Sequence, residues 1–214
     1  MADEWIVFDT AQYMKFGWVN RNRILRPSSG WQYIVVPVKR HQHYKTPINQ
    51  IVISTHHDWR ALILRQLLHY EKQAPYYAQV IDFLEDCFSD SESNLARLNI
   101  KLFKKTCLRL GIDKPIHVLS EMNLNLGPIN EPGDWGWVIC QAVGAYELIN
   151  PPGGAKFINE KSYLENGIKL TIQSFTNMVY DCGRHQFEPA LSILDVMMWN
   201  SCEKIKHYLD TFRL

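Results

Sequence analysis

The chain has 214 residues, 46% hydrophobic and 21% charged, which is enough to bury one substantial core and excludes a disordered or collagen-like polymer. Its 23 Lys plus Arg stand against 22 Asp plus Glu, so no basic field exists to hold nucleic acid. The start MADEWIVFDT lacks the pattern of a secretion signal, and no apolar run of about 18 residues could span a bilayer; the expectation is one cytoplasmic domain with neither a nucleic-acid nor a membrane partner.

In chain order, a short strand is predicted over 5–9. The stretch 12–27 sets Arg21, Asn22 and Arg23 among aromatic and apolar neighbours, where planar multi-donor groups suit a carboxylate or phosphate. Capping of strand ends and pairing with Asp9 explains the arginines equally well. β-branched and aromatic runs predict strands over 30–38 and 48–54, as a hairpin or meander, with Pro37 pushing the first towards an edge. The loop between them carries His41 and His43, and His56 and His57 follow. Without thiol or carboxylate support these four are expected to be solvated rather than metal-bound.

Asp58 is placed to cap a helix over 59–73, and helical spacing continues over 76–88 and 95–110, closed by Gly111. A strand is predicted over 116–122, then a Gly- and Pro-containing loop of the length of a lid. Next come a helix bearing Cys140, a turn at Gly144, a strand over 146–150 and the loop Pro151–Gly154, whose backbone could meet an anion or a carbonyl oxygen. A short helix closed by Gly167, a strand over 168–175, a helix starting near Pro189 and a helical tail, continuous or separate, complete the chain. The fold class is α/β: a mixed sheet with an inserted three-helix block and C-terminal βαβ crossovers. Cys87, Cys107, Cys140, Cys182 and Cys202 are odd in number and lack CxxC spacing, so reduced thiols are expected.

Several segments together resemble one bacterial family, the WbqC-like proteins: VFDTAQYMKFGWVNRNRIL, IVVPVKR, Trp59 with its helix and YEKQAPYY, NLARLNIKLFKKTCLRLGI, LSEM, ICQAVGAYELINPPGG, YLENGIKLTIQSF and FEPALSILDVMMWN. The resemblance covers about residues 5–200. It implies a product of loci for O-antigen or other surface polysaccharides. The activity implied is transfer of an acyl or aminoacyl group onto an amino sugar or similar amine, with an acyl-carrier protein as donor partner and no cofactor. Carried over residue by residue, it singles out Asp9, Gln12, Arg21, Asn22 and Arg23, then Cys140, Tyr146, Asn150, Gly153 and Gly154, and finally Ser192 with Asp195. Two departures stand out. Relatives carry a further segment ahead of the counterpart of Val7, which implies a shortened variant, an incomplete product or a strand borrowed from a partner. The DWGW before Cys140 replaces a more charged helix start, as an apolar wall for a ligand or as packing.

For acyl transfer, Cys140 could serve as nucleophile with His185 or His117 as base and Asp181 or Asp195 as orienter. A buried structural cysteine is the simpler account. Direct attack by the amine, helped by a base and by N–H groups near Gly153 and Gly154, needs no thiol and is preferred. Ser192 and Asp195 share a helical face; a cap at Ser192 and a pairing of Asp195 with Arg21 or Arg23 is the matching structural expectation. The rival to an enzyme is a non-catalytic binding or scaffold protein for a sugar nucleotide, a carrier protein or a biosynthetic enzyme.

Overall fold

The computed structural model describes residues 2–39 and 45–212, so His41 and His43 lie outside the described residues. In chain order the elements are β1 (Trp5–Val7), β2 (Arg21–Leu25), β3 (Trp31–Val35), α1 (Trp59–Leu67), α2 (Tyr77–Phe88), α3 (Leu95–Arg109) and β4 (Ile116–Val118). They continue with α4 (Asp134–Val143), β5 (Glu147–Asn150), α5 (Glu160–Glu165), β6 (Lys169–Ile172), α6 (Ile193–Trp199) and α7 (Cys202–Asp210). The chain divides into two units: Asp3–Val118 together with the chain from Asn177 onward, and Leu119–Thr176. The mixed α/β class expected from the sequence is what forms, among the described residues as three two-stranded ladders with both parallel and antiparallel pairs. Among the described residues no helix is long and apolar enough to cross a membrane.

In the first unit, β2 and β3 pair antiparallel in the register Arg21↔Val35, Arg23↔Tyr33, Leu25↔Trp31. Directly opposed residues share a face, so the two arginines lie beside Tyr33 and Trp31. The connection closes through Arg26 N–H to the Gly30 carbonyl at 2.9 Å, with Gly30 at φ 70°, a conformation glycine reaches without a Cβ penalty. The expected partner of β3, the run 48–54, does not form a strand. Residues 48–50 make a 3-10 turn after Pro47, and Val52 and Ile53 make isolated bridges to Asn94 and Val38.

β1 and β4 pair parallel in the register Trp5↔Ile116, Val7↔Val118, and the three-helix block α1–α3 lies in the connection between them, as expected. The Asp58 carboxylate accepts the Ala61 N–H at 3.1 Å, and Asn94 accepts from Arg97 at 3.0 Å, each satisfying an amide that the first helical turn leaves without a partner. α1 tightens into a 3-10 turn over Leu68–Tyr70, which carries Tyr70 into the core. The C-terminal helices are separate. Ser192 caps α6, Asn200 is extended, and Ser201 caps α7 through the Lys204 N–H at 3.2 Å. Ile24, Leu25, Leu67, Tyr70, Met197 and Met198 are buried at the centre of this unit.

In the second unit β5, α5 and β6 form a parallel crossover in the register Glu147↔Lys169 to Asn150↔Ile172, and Gly144 ends α4 at φ 74°. Cys140, Tyr163 and Ile168 are its buried centre, with Leu148, Leu170 and Trp137 packed around them. The Tyr163 hydroxyl donates to the Gly133 carbonyl at 2.9 Å, and Gly136 faces the same ring. A Cβ on Gly136 would collide with the Tyr163 hydroxyl and come within 2.6 Å of Leu148 Cδ2. Gly136→Ala is therefore expected to destabilise by about 1–3 kcal/mol through overpacking, despite the better helix propensity of alanine. Thermal unfolding checks this, and an unchanged or raised midpoint would contradict it.

Candidate functional site

The β2–β3 face is built from cations and rings. The Arg21 guanidinium lies 4.3 Å from the centre of the Tyr33 ring and 5.6 Å from that of Phe16. Arg23 lies 4.9 Å from Trp31 and 5.3 Å from Trp18. The rings also meet one another, Trp31 edge-on to Tyr33 at 4.9 Å and Trp18 against Tyr33 at 6.2 Å. Stacking of this kind contributes about 0.5–1 kcal/mol per contact and fixes the plane of each guanidinium. Main-chain carbonyls fix it further. Arg21 donates to Gly17 O at 3.1 Å and to Phe16 O, and Arg23 donates to Ala190 O at 3.0 Å. Phe16 and Ala190, which supply two of these carbonyls, are non-glycine residues at φ 66° and 54°. Such strained backbone persists where the surroundings over-determine it, and functional sites collect it.

Behind this face Asp195 is fully buried. Its carboxylate accepts from the hydroxyl of Tyr70, from the Tyr180 hydroxyl at 2.8 Å and from the Leu25 N–H at 3.2 Å. Burial pushes the Asp195 carboxyl up from its usual range, and the three donors oppose that shift. Burial, and then the carboxylate itself, pushes both phenols far above theirs, so they remain donors. The expected pairing of Asp195 with Arg21 or Arg23 does not form: the carboxylate is held inside by neutral donors, whereas carbonyls and rings hold the arginines. Ser192 is the α6 cap, its Oγ accepting from Leu194 at 3.3 Å and its N–H donating to Arg23 O at 2.8 Å.

His69 and His185 extend the cluster. Nδ1 of His69 is 2.9 Å from Gln66 O; a carbonyl only accepts, so this nitrogen carries the proton. The His69 ring stacks on Tyr70 at 4.1 Å and meets the His185 ring at 5.9 Å, and His185 meets Trp199 at 6.4 Å. Nε2 of His185 and Nε1 of Trp199 are buried without a partner. Burial lowers the pKa of both imidazoles, and the Arg184 charge lowers that of His185 further. Both are neutral at neutral pH. Cys182, beside Asp195, is pushed up to about 12 by burial and then by Asp195, which leaves it an unreactive thiol.

The other flagged residues are distributed. Asp9 is buried, its carbonyl accepting the Asn49 N–H at 2.9 Å. Gln12 is exposed and bridges to Pro47. Asn22 is exposed, its Oδ1 accepting from Arg23 N at 2.8 Å. Asp181 accepts from Gly183 N at 2.9 Å, and His117 lies 3.3 Å from the Glu4 carboxylate. In the second unit Cys140 is buried and Tyr146 is 74% exposed. Asn150 donates to Pro151 O at 3.0 Å, and Gly153 and Gly154 lie in a 3-10 turn over Pro152–Phe157 in which the Gly154 N–H is taken by Pro151 O. Among the described residues no three His, Cys, Asp or Glu side chains are placed to hold a metal ion. Sequence reasoning missed Trp18, Trp31, Tyr33, His69, Tyr70 and Tyr180. The arginines at i and i+2 with aromatics on either side were the one available signal, since that spacing in a strand puts both on one face.

Residues 1–207 match the WbqC-like protein family. The chain is also similar to the uncharacterized protein Rv1507c of Mycobacterium tuberculosis, 30% identical over 198 residues that make up 92% of this chain and 83% of that one. No solved structure matches it significantly.

Proposed function

The chain belongs to the WbqC-like protein family, and on that premise we propose that it is an acyl or aminoacyl transferase acting on the amine of an amino sugar in surface-polysaccharide biosynthesis. The observation that carries the reading is the half-exposed platform of Trp18, Trp31 and Tyr33 with Arg21 and Arg23 laid against it. Aromatic faces take up the apolar face of a pyranose, and guanidiniums hold its anionic substituents. In the reaction the amine nitrogen attacks the carbonyl carbon of a thioester carried by an acyl-carrier protein, a C–N bond forms and the C–S bond breaks. The proton leaving the amine passes to the half-buried imidazole of His185, which burial and the Arg184 charge keep neutral. The thiolate departs with the carrier and is protonated from solvent. Such chemistry belongs in the cytoplasm, where thioester donors are made.

No acyl-enzyme is needed. Cys140 is 5% exposed and packed with Tyr163 and Ile168. The test is to incubate the protein with UDP-glucosamine and the acetyl or glycyl thioester of a carrier protein, and to look for the amide by mass spectrometry. Cys140→Ala is expected to form the amide at the wild-type rate. An acyl group trapped on Cys140 would overturn the direct route.

A second reading, a non-catalytic module that holds a sugar nucleotide, is favoured by one specific feature: Trp18, Arg21, Arg23, Trp31 and Tyr33 include neither a carboxylate nor an imidazole. Ligand binding without amide formation would select it.

A further inference from the structure

Arg21 and Arg23 present two positive charges from one strand face, and among the described residues neither forms an ion pair with a carboxylate. Residues i and i+2 of a strand lie about 7 Å apart, so the two like charges repel, and a ligand with negative charge spread over a comparable span relieves both. A single carboxylate engages only one of them. The guanidiniums are already fixed by the carbonyls of Phe16, Gly17 and Ala190, so little freedom remains to be lost on binding.

The rings beside these charges are open. Trp18 is 59% exposed and Phe16 71% exposed, and Trp18 already lies against both Arg23 and Tyr33. An exposed indole next to a fixed cation is suited to stacking a planar base, an interaction that accepts any base because every base has a π-face.

We infer that the β2–β3 face binds a nucleoside diphosphate, its two phosphates on Arg21 and Arg23 and its base on Trp18, so that the sugar acted on is diphosphate-linked rather than free. The sugar comes from the transferase reading above; the diphosphate and base come from the two guanidiniums and the exposed ring alone.

Titration calorimetry on the full chain tests this with UDP, UDP-glucosamine, inorganic pyrophosphate and glucosamine. UDP and UDP-glucosamine are expected to bind, pyrophosphate to compete with UDP, and added salt to weaken all three. Arg21→Gln and Arg23→Gln should each weaken UDP by about tenfold or more, the scale of one charge-assisted hydrogen bond. Trp18→Ala, an exposed position at which folding is not at risk, should weaken UDP more than it weakens pyrophosphate. Equal UDP affinity in wild type and the double arginine variant overturns the inference. So does UDP binding no tighter than glucosamine, or capture of a uridine oligonucleotide in place of UDP. Binding of glucosamine alone overturns the diphosphate and leaves the transferase reading standing. Tight, arginine-dependent UDP binding without amide formation does the reverse.

Discussion

Asp195→Ala is expected to remove about 3–5 kcal/mol of stability, because it leaves two phenolic hydroxyls buried without an acceptor, each such orphan costing about 1–3 kcal/mol, while the Leu25 N–H keeps the Tyr70 oxygen at 2.9 Å. The three donors come from distant parts of the first unit: Tyr70 from the turn after α1, Tyr180 from the segment before α6, and Leu25 from β2. One carboxylate thus ties β2, α1 and α6 together. Asp195→Asn should cost less, since its remaining oxygen still accepts a tyrosine hydroxyl while its amide faces the Leu25 N–H. The pH dependence has a definite sign. Burial raises the Asp195 pKa above its unfolded value, so its contribution is fully present below the unfolded pKa of about 3.9 and is lost as pH rises through the raised folded value. The deficit of Asp195→Asn relative to wild type should therefore be larger near the unfolded pKa of about 3.9 than at neutral pH. His69 and His185, with lowered folded pKa values, act oppositely: their contribution is present above about 6.5 and is lost as pH falls through the folded values. The His69 part cancels in the comparison, whereas the Asp195 charge raises the His185 pKa, so its removal adds to the deficit at low pH. Urea unfolding at the two pH values measures both effects. A deficit that grows as pH rises would contradict the raised Asp195 pKa.

The second large effect is on turnover. His185→Asn should lower kcat for amide formation by about 10²–10⁴, the usual worth of a general base, while UDP affinity stays at the wild-type value. Because the His185 pKa is lowered by burial and Arg184, the wild-type rate should hold as pH falls to about 6.5 and drop only below it. The asparagine variant should lose that acid limb. An unchanged kcat, or a loss confined to KM, would show that His185 acts only through packing against His69 and Trp199.

The helices were legible because they obey a short-range rule. Apolar residues at 3.6 spacing, Asp58 ahead of Trp59 and Gly144 after Val143 state start, face and stop within a few residues of one another. β2 was not legible, since Arg21, Asn22 and Arg23 are polar on both faces of the strand and only Ile24 and Leu25 are fully buried, so hydropathy never alternates. The run 48–54 misled for the opposite reason: its apolar residues fill the core, but through isolated bridges after a Pro47 turn rather than a ladder. At the site, the arginines could be picked out from their neighbours in sequence. The partners of Asp195 could not, because a hydroxyl 125 residues away leaves no local pattern. Charge alone pointed to Arg21 or Arg23, yet an interior carboxylate can be held by neutral donors while half-buried guanidiniums stack on rings.

The most direct test of the central claim is mass spectrometry of the reaction of wild-type protein with UDP-glucosamine and an acyl-carrier thioester, run beside Cys140→Ala and His185→Asn. The account predicts an amide on the sugar nucleotide from wild type and Cys140→Ala, and almost none from His185→Asn. Bound UDP-glucosamine recovered unmodified from all three would contradict it and leave a binding protein in its place.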